Sequence, residues 1–533
     1  MSNKSSYHRD VGLIALTMTG IGSIIGSGWL FGAAKAARLA GPDAIWAWVI
    51  GAVVILAVAL AFAELGAMFP EAGGMVRFGL YTHGTLVGSI TAWAAWISVV
   101  SVIPVEAFAS VQYMASWPWS WAQPWAGSLY HNGEVTLSGQ AIGAVLVVIY
   151  FLLNFWSVKV FARTNTAITL FKLVVPAFTA ISLIMAGFHP ANFNVGINGG
   201  PHASNLAAVL NAVATAGIVF SFNGFQSPVN LAGEAKNPGR DVPIAVVGSI
   251  LICAVIYVLL QVAFLGAVPS DLLAAHGWSG LDFSSPYAQL ALALNLNLLA
   301  LLLYADAFVS PSGTGSTYTA SSTRMLYGME KNGILPKIFG YVHPVYGIPR
   351  PAMWLNLAVS FLFFFWFKGW NKGADVTSVA CIVSYLMGPV AVAVLRDTAP
   401  DAKRPLKLPA LKWIGGIAFT LATLALYWAK WPLPAQVIGC LVFVLPLWFY
   451  YESQNGWQDF KKHLNGAWWL LCYLVVMVAL SWGGSVEFGG KGYLPYGWDL
   501  LVVAVAGAGF FVWGLKSGWR TLHVEAAGAE TLH

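Results

Sequence analysis

Charge is what this chain has least of. Lys, Arg, Asp and Glu make up 9% of its 533 residues, against about 25% in an ordinary soluble domain. That excludes a water-soluble globular protein. Cysteine is scarce too: Cys253, Cys381, Cys440 and Cys472 stand singly inside apolar runs, without the paired spacing of a disulfide framework or a metal knuckle. No metal site is expected. The opening MSNKSSYHRD lacks the charged, apolar and small-residue succession of a cleaved signal, so the first apolar segment is expected to remain in the mature protein. There is no G-x-x-x-x-G-K-[ST] phosphate loop, which leaves transport driven by nucleotide hydrolysis without its machinery. A membrane-embedded enzyme would need a catalytic cluster, and neither a G-x-S-x-G, a paired HxxxH nor a His-rich metal set occurs. The reading is therefore not an enzyme, and no cofactor is expected.

What the chain does have is apolar length. Hydrophobic residues make up 58% and the mean hydropathy is +0.71. A helix crosses a bilayer core in about 20 apolar residues. Runs of that kind begin near Val11, Ala44, Leu86, Ala141, Thr166, Leu206, Ile244, Ala288, Ala352, Val376, Ile414, Ala435, Ala467 and Leu500. They predict an all-α integral membrane protein of 12 to 14 spans, the last two being the weakest because the run from Ala467 to Ser481 is short and glycine-rich sequence follows. Lys and Arg divide unevenly between the two sides of that topology: twenty of the 27 fall on the side of the amino terminus, six on the other, and Lys172 lies within a span. By the positive-inside rule both termini are cytoplasmic. The net charge of +6 then reports topology, and nothing indicates a nucleic-acid partner.

Two spans carry backbone-breaking sequence. GIGSIIGSGWLFG, Gly20 to Gly32, places five glycines in the first span, each costing about 1 kcal/mol relative to alanine in a helix. Small residues four apart also serve close helix packing, but packing does not account for Ser23 and Ser27 between them, nor for FSFNGFQSPVN, Phe220 to Asn230, at membrane depth in the sixth span. Two interrupted segments five spans apart are the signature of carriers built from two inverted five-span repeats. Unwinding near Gly22 to Gly28 frees amides and starts a half-helix whose positive end attracts a carboxylate. A break near Ser221 to Gly224 frees carbonyls able to accept from an ammonium. The pair suits an α-amino acid. The expected substrate contacts are Ile21, Gly22, Ser23, Ile24, Gly26, Ser27 and Gly28 in the first span, with Phe220, Ser221, Phe222 and Asn223 in the sixth.

GIGSIIGSG, together with SFNGFQSPVNLAGEAKNPGRDVP and its G-E-x-x-N-P-x-R-x-x-P pattern at Gly233, Glu234, Asn237, Pro238, Arg240 and Pro243, resembles the amino acid-polyamine-organocation permeases with the LeuT-type fold. The resemblance covers roughly the first 450 residues. The length and the region around Asp10 are similar to the aspartate-proton symporter branch. Gln226 departs from the pattern, since many members carry an acid there. The resemblance implies a ten-span inverted-repeat core at 11–396 after a cytoplasmic segment 1–10, ordinary spans 11 and 12 at 397–451, and a carboxy-terminal extension 452–533 with two further possible spans. It also implies that an aromatic of the sixth span closes over the substrate, with Phe222 the preferred candidate over Phe220 and Phe225.

Ionisable residues inside a membrane are expensive and point to function. Lys172 lies nine residues past Arg163, about 13 Å along a helix. Snorkelling of the side chain to the interface is the simpler account. The resemblance instead implies that its ammonium stands where sodium-linked relatives hold a cation, bridging the first and eighth spans. Glu106 resembles a third-span glutamate tied to proton coupling. Asp306 heads a hydroxyl-rich run in the eighth span and is the third coupling candidate. Glu64 reads as interfacial, and His8 and His83 as boundary residues. The sequence thus predicts a multi-pass permease of the inner membrane, a secondary carrier importing an amino acid with a proton. Acidic amino acids come first; a neutral-amino-acid carrier and an exchanger are the alternatives. The partners implied are the substrate, the proton and the lipid bilayer.

Overall fold

The structure, a computed structural model, describes residues 10–71, 74–131, 133–156, 158–344, 346–454 and 456–524. Lys4, His8 and Arg9 of the amino-terminal segment and the tail beyond Val524 lie outside the described residues, as do the side chains of Lys159 and Arg163. A bilayer core offers no water to backbone N–H and C=O groups, so a chain of this composition must span it as helices. It does so: the only sheet among the described residues is a two-stranded hairpin pairing Tyr130–His131 with Glu134–Val135.

Among the described residues, twelve helices are long and apolar enough to cross a membrane. Two interrupted spans bring the passes to fourteen. The first span is split into a near half, Leu13–Ile24, and a far half, Gly28–Ala40. The second, Ala44–Met68, follows across one 3-10 turn. The third is Thr85–Met114, the fourth Leu137–Trp156 and the fifth Val158–Ala186. The sixth is split into Leu206–Thr215 and Ile218–Phe222. The seventh is Pro238–Ala267, the eighth Asn297–Lys331, the ninth Arg350–Phe367 and the tenth Trp370–Thr398. Leu411–Trp428, Leu433–Gln454, Phe460–Gly483 and Trp498–Ser517 complete the set.

Two sequence expectations shift. The eighth membrane helix starts at Asn297, not near Ala288, because Asn295 adopts a left-handed backbone (φ 58°) that detaches the short helix Pro286–Ala293. The thirteenth span is not short: the polar turn Lys461, Lys462 and His463 extends it back to Phe460, giving 24 residues. Glu64, four residues from the end of the second span, is buried in protein. Arg396, near the end of the tenth span, grips it with bonds of 2.6, 2.8 and 3.1 Å, and the amide of Leu408 adds a fourth at 3.0 Å.

The seventh span packs along the second and along the near half of the first, and the eighth along the third. The G-E-x-x-N-P stretch has a mechanical role here. Val11 donates to the carbonyl of Glu234 and accepts from the amide of Lys236, at 3.0 and 2.9 Å. Asn237 then caps the seventh span, with Pro238 as its first residue, a position where a missing N–H costs nothing. The start of the first span is thereby tied to the exit of the sixth.

The fourteenth span lies on the eleventh and the tenth. His83, at the end of the short helix Phe78–His83, is fully buried beneath it, with Nε2 2.9 Å from the carbonyl of Gly514 and Nδ1 2.9 Å from Thr82. The amide of Trp519 bonds the carbonyl of Thr82, and Thr521 that of Tyr81. Burial pushes the His83 imidazole down to about 4. A depressed histidine contributes fully above its unfolded value near 6.5 and loses that contribution as pH falls toward 4. The purified protein is therefore expected to lose thermal stability between pH 6.5 and 4. His83→Gln, which keeps a donor for Gly514, flattens that part of the profile; an identical slope in the variant would remove His83 as its origin.

Candidate functional site

The first span comes apart at Ile25, which is extended (ψ 94°), and resumes with Ser27 as the cap of Gly28–Ala40. The near half ends in freed carbonyls, the negative end of its dipole; the far half begins with freed amides, the positive end. Each end has drawn a side chain of opposite charge. Lys172 Nζ donates to the carbonyl of Gly22 at 3.0 Å and to Thr314 Oγ1 at 2.7 Å. Thr314 in turn donates to the carbonyl of Ile25 at 3.3 Å. The ammonium of the fifth span thus joins the first span to the eighth. On the other side the amide of Ser27 donates to both carboxylate oxygens of Glu106, at 2.9 and 3.2 Å.

The sixth span is interrupted twice. The break expected near Ser221 to Gly224 is present, Asn223 being extended (ψ 133°) and Gly224 at φ 126°. A second, unforeseen, lies at Gly217, whose left-handed backbone (φ 78°) separates the two helical pieces. A methyl on Gly217 would stand 2.8 Å from the ring of Trp370. Tyr257 of the seventh span ties the two broken spans together, its hydroxyl lying 3.2 Å from the carbonyl of Ile24 and 3.1 Å from that of Ser221. Its single hydrogen serves one of the two carbonyls at a time, so the Ser221 carbonyl keeps accepting capacity. The backbones also touch: a Cβ on Gly224 would lie 2.5 Å from the carbonyl carbon of Ser23 and 2.7 Å from the amide nitrogen of Ile24. One on Gly28 would collide with Ser221.

Between the breaks is a small cavity with about 10 Å³ of free space, room for about one water. Ser23, Ile24, Gly26, Gly28, Glu106, Phe220, Asn223 and Thr314 line it, with Val102 and Tyr318. The other sequence candidates do not. Ile21, Gly22, Ser27 and Ser221 are buried in the backbone framework behind it. Phe222 faces away, 5.3 Å from Tyr257 and 6.1 Å from Trp48 between ring centres, so among the sixth-span candidates Phe220 is the aromatic that lines the cavity. Gly26 opens onto Glu106: its Cβ would stand 2.6 Å from a carboxylate oxygen and 3.1 Å from Thr314. Asp306 is buried and accepts from Ser310 at 2.7 Å; among the described residues no hydrogen bond or ion pair joins it to Lys172. Farther out, Lys35 of the far half pairs with Asp375 of the tenth span at 2.6 Å.

Sequence reasoning missed Tyr257, Tyr318 and Tyr385. Their signal is a hydroxyl inside a long apolar helix, since a buried tyrosine O–H needs a partner.

Two interrupted helices apposed at membrane depth around a small polar cavity define a secondary transporter. The comparisons name the kind: the amino acid permease family model matches residues 11–480, and the chain belongs to that family and is an amino-acid transporter. A glutamate/serine transporter, AimA of Bacillus subtilis (strain 168), is 54% identical over 524 residues, covering 98% of this chain and 96% of its own. An aspartate-proton symporter of the same organism is 34% identical over 97% of this chain and 98% of its own. The branched-chain amino acid permease BcaP, also from that organism, is 25% identical over 85% and 95%. The likeness runs past the roughly 450 residues expected from the motifs and takes in the last two spans.

The Gly224 contact yields a test. Gly224→Ala pushes a methyl into backbone that cannot give way and is expected to cost at least tenfold in substrate affinity or to abolish folded protein. Gly248→Ala in the seventh span, where a Cβ meets nothing within 4 Å, leaves both unchanged. Equal behaviour of the two variants in size-exclusion and transport assays would disprove the close approach.

Proposed function

We propose that this protein imports an acidic amino acid together with a proton, serine being a second substrate. One observation carries the reading: the helix end suited to a substrate carboxylate holds the carboxylate of Glu106. Two carboxylates at one half-helix terminus repel, and the cheaper state has one of them protonated. A substrate carboxylate arriving at Ser27 and Gly28 therefore obliges Glu106 to leave the amide and take a proton. Release of substrate lets Glu106 give the proton up and return. Lys172 stays on Gly22 and Thr314 as the fixed cation that makes a dissolved sodium ion unnecessary, and Asp306 is a further proton-accepting group along the eighth span. The names of the relatives, a glutamate/serine transporter and an aspartate-proton symporter, fit this substrate range. Serine is retained because Glu106 is the one charged residue among those lining the cavity, so an acidic side chain finds no cation there.

The transport core is taken to be 11–396, with 397–451 and 452–533 outside it. The uneven Lys and Arg distribution supports an orientation with both termini cytoplasmic, and the inner membrane is the compartment we propose.

Proteoliposomes test the scheme. Uptake is expected to be indifferent to exchange of Na⁺ for K⁺, to rise with an inward proton gradient and to collapse with a protonophore. Glu106→Gln keeps counterflow of labelled substrate within several-fold and loses uphill accumulation. Lys172→Ala loses accumulation, and Lys172→Arg does poorly because a guanidinium is larger and effectively cannot deprotonate. Sodium-stimulated uptake, or full accumulation by Glu106→Gln, would refute the coupling.

A further inference from the structure

Asn223 is the one side-chain amide lining the cavity, and which of its ends faces a substrate follows from its neighbours. An amide's oxygen and nitrogen are told apart by their partners. The chain of partners starts at a group with no ambiguity, the backbone N–H of Gly224. It lies 2.9 Å from Gln226 Oε1 and can only donate, so the oxygen of Gln226 must face it. The nitrogen of Gln226 then points the other way, donating to Asn223 Oδ1 at 2.7 Å. Tyr385 of the tenth span donates to the same oxygen at 2.9 Å. Both lone pairs of Asn223 Oδ1 are used. What remains is Nδ2, with two hydrogens. Its one partner among the described residues is the carbonyl of Ser98, at a long 3.4 Å, and that takes at most one of them. Asn223, Gln226 and Tyr385 are all at most 2% exposed, so solvent does not blur the assignment.

We infer that Gln226 and Tyr385 are positioning residues that turn the amide donor of Asn223 toward the cavity, and that the site thereby selects amino acids whose side chains carry an acceptor oxygen. This rests on the cavity being the substrate site. An α-ammonium has only donors and gains nothing from Asn223. An α-carboxylate is served by the first break. The atom left to meet the amide belongs to the substrate's side chain: a carboxylate, hydroxyl, amide or ether oxygen. An aliphatic side chain leaves a buried N–H unpaired, and sites built around such a donor reject the analogue lacking its acceptor. The neutral Gln226 is essential to the polarity. A carboxylate there would still accept from Gly224 but could not donate to Asn223, whose amide would turn to it and show the cavity an oxygen.

The test uses O-methylserine and norvaline, which differ only by an ether oxygen in place of a methylene. Apparent affinities come from ligand-induced thermal stabilisation of the purified full-length protein. Wild type is expected to prefer O-methylserine by roughly fivefold or more. Asn223→Asp, which offers only acceptors, loses or inverts the preference. Gln226→Glu and Tyr385→Phe reduce it about threefold while leaving norvaline affinity unchanged, an effect that general loosening of the fold does not produce. No preference in wild type, or equal weakening of both ligands in every variant, overturns the inference, and the wild-type comparison stands whether or not the variants fold. The proton-coupled reading fails separately: uptake indifferent to a proton gradient sinks that scheme and leaves the side-chain preference intact.

Discussion

A helix opened inside a bilayer exposes polar groups to a medium that cannot solvate them, and the centre of this molecule is organised around that constraint. The carbonyls of Gly22, Ile24 and Ile25 are met by Lys172, Tyr257 and Thr314, and the amide of Ser27 by Glu106. These partners come from four different spans, so the breaks cannot exist until the bundle exists. Gly28 and Gly224 are needed because the two openings lie against each other with no room for a side chain.

The pairing is electrostatically economical. The two half-helix ends have opposite polarity, and each holds a side chain of the complementary sign. Glu106 and Lys172 are groups of opposite sign held at the two ends of one opening, an arrangement more tolerable in a buried setting than either charge alone. Such an arrangement is sensitive to a third charge. A bound anion would disturb a balance already struck, and under the proposed function recognition and coupling would fall at the same few atoms.

Much of this was legible in the residues. The spans, the evenness of their number and the two interrupted segments follow from hydropathy and glycine content. Lys172 and Glu106 stood out because charge is so rare in the chain. What the sequence concealed was direction. A helix apolar all round has no polar face to mark its orientation, so nothing local told Phe220 from Phe222 or pointed Tyr257 at the breaks. Partners lie far apart in the chain, Glu106 being 79 residues from Ser27 and Thr314 289 from Ile25. The break at Gly217 escaped because one glycine in an apolar run usually serves packing; its left-handed backbone shows only once Trp370 is in place beside it. That Glu106 occupies the very amides suited to a carboxylate ligand follows from tertiary geometry alone.

The clasp between Val11 and the Glu234–Lys236 segment bears on how the chain is made. Its two halves are separated by roughly 220 residues, and ribosomes add about 5–20 residues per second, so the first span waits on the order of ten to forty seconds after synthesis before its fastening emerges. Throughout that interval a glycine-rich, unfastened helix sits in the membrane without Lys172 for part of the time and without Tyr257 and Thr314 for all of it. The nascent protein is then at its most vulnerable to proteolytic surveillance. Anything that slows translation of the sixth and seventh spans lengthens that exposure, so codon choice or ribosome pausing there bears directly on the yield of intact carrier.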